Sequence, residues 1–258
     1  MFLPRALPAE HVSVRHKEGV AHGFLVLSTQ QGETLATGDQ IQTVRGDRVT
    51  TELIFHFKDG SLHDEVTVFS QQGAFRLLTD HLLQKGPSFP HPVDVTIDAT
   101  KGDVLVQSRK DGKQKLSTEH LDIPEDAANG MVLTLLRNIS SSTPETSVSM
   151  VATSSKPKVV KLKIHPEGVD EFSVSGSKRT ATHCVVKVEI GGVAGVIAPI
   201  TGKQPPDTHI WVLAGKVPTF LRFEGTLYQG GPIWRIGLAT LKWPNEATRA
   251  KDADNEFK

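Results

Sequence analysis

From about residue 10 to residue 243 the chain alternates apolar and polar residues in short runs, and each run stops at a turn signal. Alternation at period two places every second side chain on one face, the pattern of strands with one buried side. The turn signals are Arg45-Gly46-Asp47, Asp59-Gly60, Gln72-Gly73, Lys101-Gly102, Asp111-Gly112 and Gly230-Gly231. Glycine in such pairs supplies the positive backbone angles that tight hairpins need. The spacing predicts a mainly β protein, one large antiparallel meander. Strands are expected near 11–16, 19–29, 34–45, 48–58, 62–70, 74–84, 92–98, 103–110 and 113–120. After a helix they resume with a short strand from Ser147 to Ala152, then near 158–165, 169–175, 178–190, 193–199, 207–214, 218–228 and 232–242.

Two hairpins carry explicit registers. A two-residue loop at Asp59-Gly60 pairs Phe57 with Leu62 and His56 with His63. That register puts Val49, Thr51, Leu53, Phe55 and Phe57 on one face with Leu62, Val66 and Val68, and places Asp64 among them. At Gly230-Gly231 the same arithmetic pairs Leu227 with Trp234 and Gly225 with Ile236, leaving Trp234 diagonal to Gly225. A one-residue slip in either would turn its apolar set to water.

One helix interrupts the strands, near 124–138. Asp122-Ile123-Pro124-Glu125 offers a capping aspartate, an early proline and a glutamate three residues on. Met131, Leu135 and Ile139, with Val132 and Leu136 alongside, form its apolar stripe. Asn129-Gly130 falls in its first turns, where the glycine costs about 1 kcal/mol against alanine.

With 258 residues, the chain has the length of one large β domain, assigned to 10–243. Residues 1–9 read equally as the remnant of an export signal or as a frayed terminus, and 244–258 as a disordered charged tail. Lys plus Arg equals Asp plus Glu at 29 each, which argues against electrostatic capture of nucleic acid. Cys184 is the single cysteine, so an intramolecular disulfide and a thiolate metal cluster are both excluded. It lies in the alternating run Cys184, Val186, Val188, Ile190 and reads as a buried structural thiol. No apolar stretch reaches the length of a membrane-spanning helix.

No catalytic residues emerge, and no cofactor is expected. HExxH, GxSxG, CxxC and P-loop patterns are all missing. Cross-strand His56 and His63, with Glu65 two residues on, are the metal candidates, against a stronger reading as a solvated surface beside a turn. Arg45-Gly46-Asp47 matches an integrin-binding tripeptide but reads as a hairpin tip, and Asn138-Ile139-Ser140 is a formal glycosylation sequon.

So many strands do not stay in one flat sheet, so the meander is expected to curl into a half-barrel or barrel-like sheet around one central helix. The strand order with a mid-chain helix, and the closing stretch from His209 through Trp243 with Ile210-Trp211-Val212, Pro218 and the Phe223-to-Leu238 hairpin, carry a resemblance. In these the chain resembles the bacterial lipoprotein-localisation factors LolA and LolB and related envelope proteins. The resemblance implies a periplasmic or secreted, non-enzymatic protein that binds a lipid or acyl chain in the concave face of the sheet. Phe55, Phe57, Phe75, Trp211, Phe223 and Trp234 are then the lining candidates, although core packing selects the same residues. The family's acylated cysteine has no counterpart near this amino terminus. The alternatives are an interaction module pairing with a protein partner through exposed strand edges, and a hydrolase or metal-dependent enzyme with a site of scattered residues.

Overall fold

The computed structural model describes residues 11–110, 113–140, 142–153, 156–174, 177–189, 204–213 and 215–239. Over these residues the alternation becomes one antiparallel sheet of fourteen strands. The first eight are β1 (Ala21–Thr29), β2 (Thr34–Arg45), β3 (Arg48–Phe57), β4 (Leu62–Ser70), β5 (Arg76–Lys85), β6 (Val93–Asp98), β7 (Asp103–Lys110) and β8 (Lys113–His120). From β2 onward each of these pairs with the one before it. A short helix follows, then β9 (Thr146–Ala152), β10 (Lys158–Val174), β11 (Ser177–Glu189), β12 (Thr208–Leu213), β13 (Thr219–Gly225) and β14 (Trp234–Leu238). The second meander joins the first where β14 pairs with β1, from Leu25 opposite Leu238 to Thr29 opposite Trp234. Among the described residues the sheet is not closed: β8 and β9 are its edges. The two strands expected at 158–165 and 169–175 are one long β10, bent at a bulge between Pro166 and Gly168. The strand expected at 193–199, the turn at Asp111-Gly112, residues 1–9 and the 244–258 tail lie outside the described residues.

The β3–β4 register is one residue away from the expected one. His56 faces Leu62 and Phe55 faces His63. The loop holds three residues, Lys58, Asp59 and Gly60, with Gly60 at φ +83°. Phe57 N–H donates to the Ser61 carbonyl and Gly60 N–H to the Phe57 carbonyl, as a turn closed by a glycine bulge requires. Asp-Gly suits this loop as well as a two-residue one, and the apolar count of β4 favours the wrong choice. The consequence is large. Leu62, Asp64, Val66 and Val68 turn to the half-exposed face, while His63, Glu65, Thr67 and Phe69 turn inward. At the second hairpin Gly225 lies opposite Trp234 and Phe223 opposite Ile236. That shift of two keeps the faces and sets Trp234 directly, not diagonally, beside the strand glycine. The Gly46-Asp47 tip is a two-residue turn joining Arg45 to Arg48, as expected.

The helix starts later than its capping sequence suggests. Asn129–Met131 form a single 3-10 turn that leads into α1 (Val132–Asn138), and no side chain caps it. The residues before it cover the edge of β9 instead. Ala127 bridges Ser149 in parallel, Ala128 N–H donates to the Ser149 carbonyl, and Ser149 N–H donates to that of Asp126. The Asn129 side chain then donates to the Val151 carbonyl at 2.9 Å and accepts its N–H at 3.0 Å. Satisfying an exposed sheet edge outweighs one more helical turn. The strand expected at 11–16 shrinks to one bridge, Ser13 to Ala74. Beyond it the backbone is held by side chains. Asn138 Oδ1 accepts the N–H groups of Arg15 and His16, and Gln71 Oε1 accepts that of Glu18. Asn138 is thereby 2% exposed, so the folded protein presents no acceptor at this sequon.

Met131, Leu135 and Leu136 of the helical segment are buried in a core shared by β1–β5 and β9–β14. This is the stripe expected from the sequence. A smaller cluster unites Val95 and Ile97 of β6, Val104 and Val106 of β7, and Val151 of β9, so side chains from the two edge regions pack together.

Candidate functional site

Of the aromatic lining candidates, Phe55, Phe57, Phe75 and Trp234 are buried in packed core. Phe57 meets Phe89 at 5.3 Å and Trp234 at 5.4 Å between ring centroids, and Tyr228 closes the group on Phe89 at 5.7 Å. Phe75 packs on Phe69, and Phe223 lies half-buried against the same core. Edge-to-face packing of this kind fills space rather than leaving it for a ligand. Trp211 sits on the other face of the sheet, half-buried against a small cluster of Phe172, Ala181 and Leu221.

The metal candidates do not come together. His56 is exposed on one face, whereas His63 and Glu65 point inward from β4. His63 is 3% exposed, and its Nδ1 accepts from Gln84 Nε2, which also donates to the Leu227 carbonyl. Burial pushes the His63 pKa down to about 4, so it is a neutral core histidine at physiological pH.

Next to it lies a pair of inward carboxyls. Glu65 and Asp80 are diagonal neighbours across β4 and β5, and Thr67 Oγ1 donates to Asp80 Oδ1 at 2.7 Å. The Gly130 backbone lies against both: a Cβ there would stand 2.0 Å from Thr67 Oγ1 and 3.1 Å from Asp80 Oδ1. Burial raises both carboxyl pKa values, and the Asp80 charge adds to the rise at Glu65. The pair therefore retains a proton where ordinary carboxylates have none. Paired acids with displaced pKa values suit general acid–base work, but here the backbone at Gly130 covers them.

Their effect is on stability. The folded state holds protons that the unfolded chain releases above its ordinary carboxyl range. The favourable contribution is thus complete below about pH 4 and is lost as pH rises through the raised native values. Glu65→Gln is expected to match the parent protein at pH 4 and to exceed it by roughly 1–3 kcal/mol at pH 8.5. Urea midpoints of both proteins across that range test this, because the His63 contribution cancels in the difference. Equal midpoints at every pH would show that Glu65 carries no displaced proton.

A groove of about 230 Å³ runs between α1 and strands β10–β12. Leu136, Ile164, Cys184 and Val212 form its apolar floor, and Arg15, His16 and Arg137 stand among its polar lining. Cys184 is buried as expected, and desolvation raises its thiol pKa to about 11. None of the six aromatic candidates lines this groove.

The opposite face of the same strands carries a constellation that the sequence reading missed. His183 of β11 and His209 of β12 are diagonal neighbours, with His183 Nε2 2.9 Å from His209 Nδ1. Glu167, the extra residue of the β10 bulge, places Oε2 3.4 Å from His183 Nδ1. The His183 ring stacks on Trp211 at 4.5 Å and 5°, and Trp211 Nε1–H donates to Asp170 Oδ2 at 2.6 Å. Burial lowers the His183 pKa, which favours neutral imidazole. The signal was present as two histidines inside β-patterned segments, but their pairing depends on the register across residues 190–207. No family model matches the chain, and no curated protein is found to be similar to it.

Proposed function

We propose that this chain is a non-enzymatic binding protein for the acyl chain of an anionic amphiphile, held in the groove between α1 and β10–β12. The observation that carries the reading is the make-up of that groove, an apolar floor with Arg15 and His16 beside it, and with Arg137, itself paired to Glu18. An apolar cleft with a few convergent polar groups is the usual form of a small-molecule site. The reading takes the sheet as curving around α1, as in the lipoprotein-localisation factors that the sequence resembles. It places the protein in the bacterial envelope, in the periplasm or secreted. It also moves the ligand from the packed aromatics to the groove. The interaction-module reading draws on β8, whose outer edge pairs with no strand among the described residues. That edge carries Lys115 and Glu119, charges that discourage strand addition, so it stands second.

The test is a titration with cis-parinaric acid, followed by displacement with dodecanoate. One saturable site per chain is expected. Ile139→Asp, a half-buried residue of the groove, is expected to weaken it at least about tenfold by placing a charge against the chain. Phe55→Leu is expected to leave affinity unchanged. Bound dodecanoate should also slow the reaction of Cys184 with a thiol reagent. Absence of saturable binding, or equal effects of the two substitutions, would overturn the reading.

A further inference from the structure

We propose that Glu167, His183 and His209 form a binding site for one zinc ion on the face of β10–β12 opposite the groove. One nitrogen from each imidazole and one carboxylate oxygen all lie within 4.8 Å of one another. Nitrogens bound to a tetrahedral zinc at about 2.0–2.1 Å stand roughly 3.3 Å apart. The 2.9 Å between His183 Nε2 and His209 Nδ1 therefore needs to open only slightly. In the metal-free pair one ring donates an N–H hydrogen bond to the other; when the ion sits between the two lone pairs, that proton is carried on the other nitrogen of the same ring, so both imidazoles stay neutral.

Three features show that the site is built. The bulge at Pro166/Gly168 inserts Glu167 opposite the Cys184–His183 step, aiming its carboxylate across the sheet at His183. Bulges re-aim side chains in this way. His183 is fixed before any ion arrives, since its ring lies flat on Trp211, and Trp211 is held by its hydrogen bond to Asp170. Asp170 Oδ2 also stands 4.0 Å from His183 Nδ1, beyond hydrogen-bond reach as placed, and has to move closer to take over that N–H once Glu167 turns to the metal. A ligand set held by such neighbours binds with less ordering loss.

The surrounding charge permits a cation. Glu224 lies opposite His209 and pairs with both Arg222 and Arg235, and Arg222 also covers the Trp211 ring. Glu167, Asp170 and Glu224 set three carboxylates against these two guanidinium groups. Two imidazoles and a carboxylate match zinc better than magnesium or calcium, and three protein ligands leave a position for water.

The experiment uses the full chain, stripped of metal and titrated with Zn²⁺ against a chromophoric chelator, with Co²⁺ as a spectroscopic probe. One equivalent is expected to bind, and Co²⁺ should give the intense visible bands of a four-coordinate site. His183→Gln and His209→Gln are each expected to abolish stoichiometric binding, and Glu167→Gln to weaken it about 10–100-fold. His22→Gln and His81→Gln, histidines paired to Asp39 and Asp94 elsewhere, should have no effect. Melting curves of the metal-free variants separate lost ligands from lost folding. His209→Gln leaves the His183–Trp211 stack in place and keeps the test decisive if His183→Gln unfolds. Absence of a saturable site, or binding that survives both histidine substitutions, would overturn the proposal and leave the pair as a shared-proton contact. Dodecanoate binding is measured on the metal-free chain, so the two proposals stand or fall separately.

Discussion

Phe55→Ala is expected to lower folding stability by about 3–5 kcal/mol, the range for deleting a fully enclosed phenylalanine. Phe55 has no exposed surface, and its backbone partners are Gly38 on β2 and His63 on β4. The ring occupies the space over Gly38. A Cβ added there would stand 2.5 Å from its Cδ1 and 2.3 Å from the Ile54 carbonyl oxygen. A strand glycine has no side chain to fill the void left by the truncation, so the cavity term is not relieved from that side. For a chain of this size the loss corresponds to a fall of roughly 6–20 °C in melting temperature. Urea unfolding with an unchanged slope and a lowered midpoint is the expected record. An unfolding free energy within about 1 kcal/mol of the parent's would mean that this face of β3 does not carry the core.

Arg137→Met is expected to destabilise by a similar 3–5 kcal/mol, for a different reason. Glu18 is 8% exposed, and its carboxylate accepts from the Arg137 guanidinium and from Gln42 Nε2. Methionine keeps much of the stem volume but strands the carboxylate among buried amides. The Glu18→Gln/Arg137→Met double substitution should recover part of the loss, because no charge is then left behind. Additive single effects in that cycle would show that the two side chains act independently. The contact also anchors the segment before β1. Glu18 exchanges hydrogen bonds with Gln71, and Gln42 reaches the Gly19 carbonyl.

The strands were legible because alternation and glycine turns are local, and β2 spans Thr34–Arg45 as the pattern predicts. Register was less so. At Asp59-Gly60 two loop lengths satisfy the same residues, and the choice depends on what waits on the inner face of β4. There His63, Glu65 and Thr67 are matched by Gln84 and Asp80 from β5, partners that no local pattern reveals. The helix start failed for a related reason. Asp122 and Pro124 are sound local signals, but the open edge of β9 claims the next residues. The candidate sites were hidden more deeply still. Trp211 and His183 look like ordinary strand residues until β11 and β12 are aligned, and Pro166-Glu167-Gly168 shows its bulge only against Cys184 and His183.

The pairing of β1 with β14 bears on how the chain reaches this state. Leu25 and Leu238 are neighbours in the middle of the sheet, although more than two hundred positions separate them along the chain. During synthesis β1 through β8 can zip up as successive hairpins, each closing a short loop, but one flank of β1 waits for the final strand. Until β14 emerges, the nascent protein displays an unsatisfied strand at its future centre, the geometry that invites mispairing with another chain. Closing this seam is therefore the natural slow step of folding, and the interval before it closes is when a chaperone has most to shield.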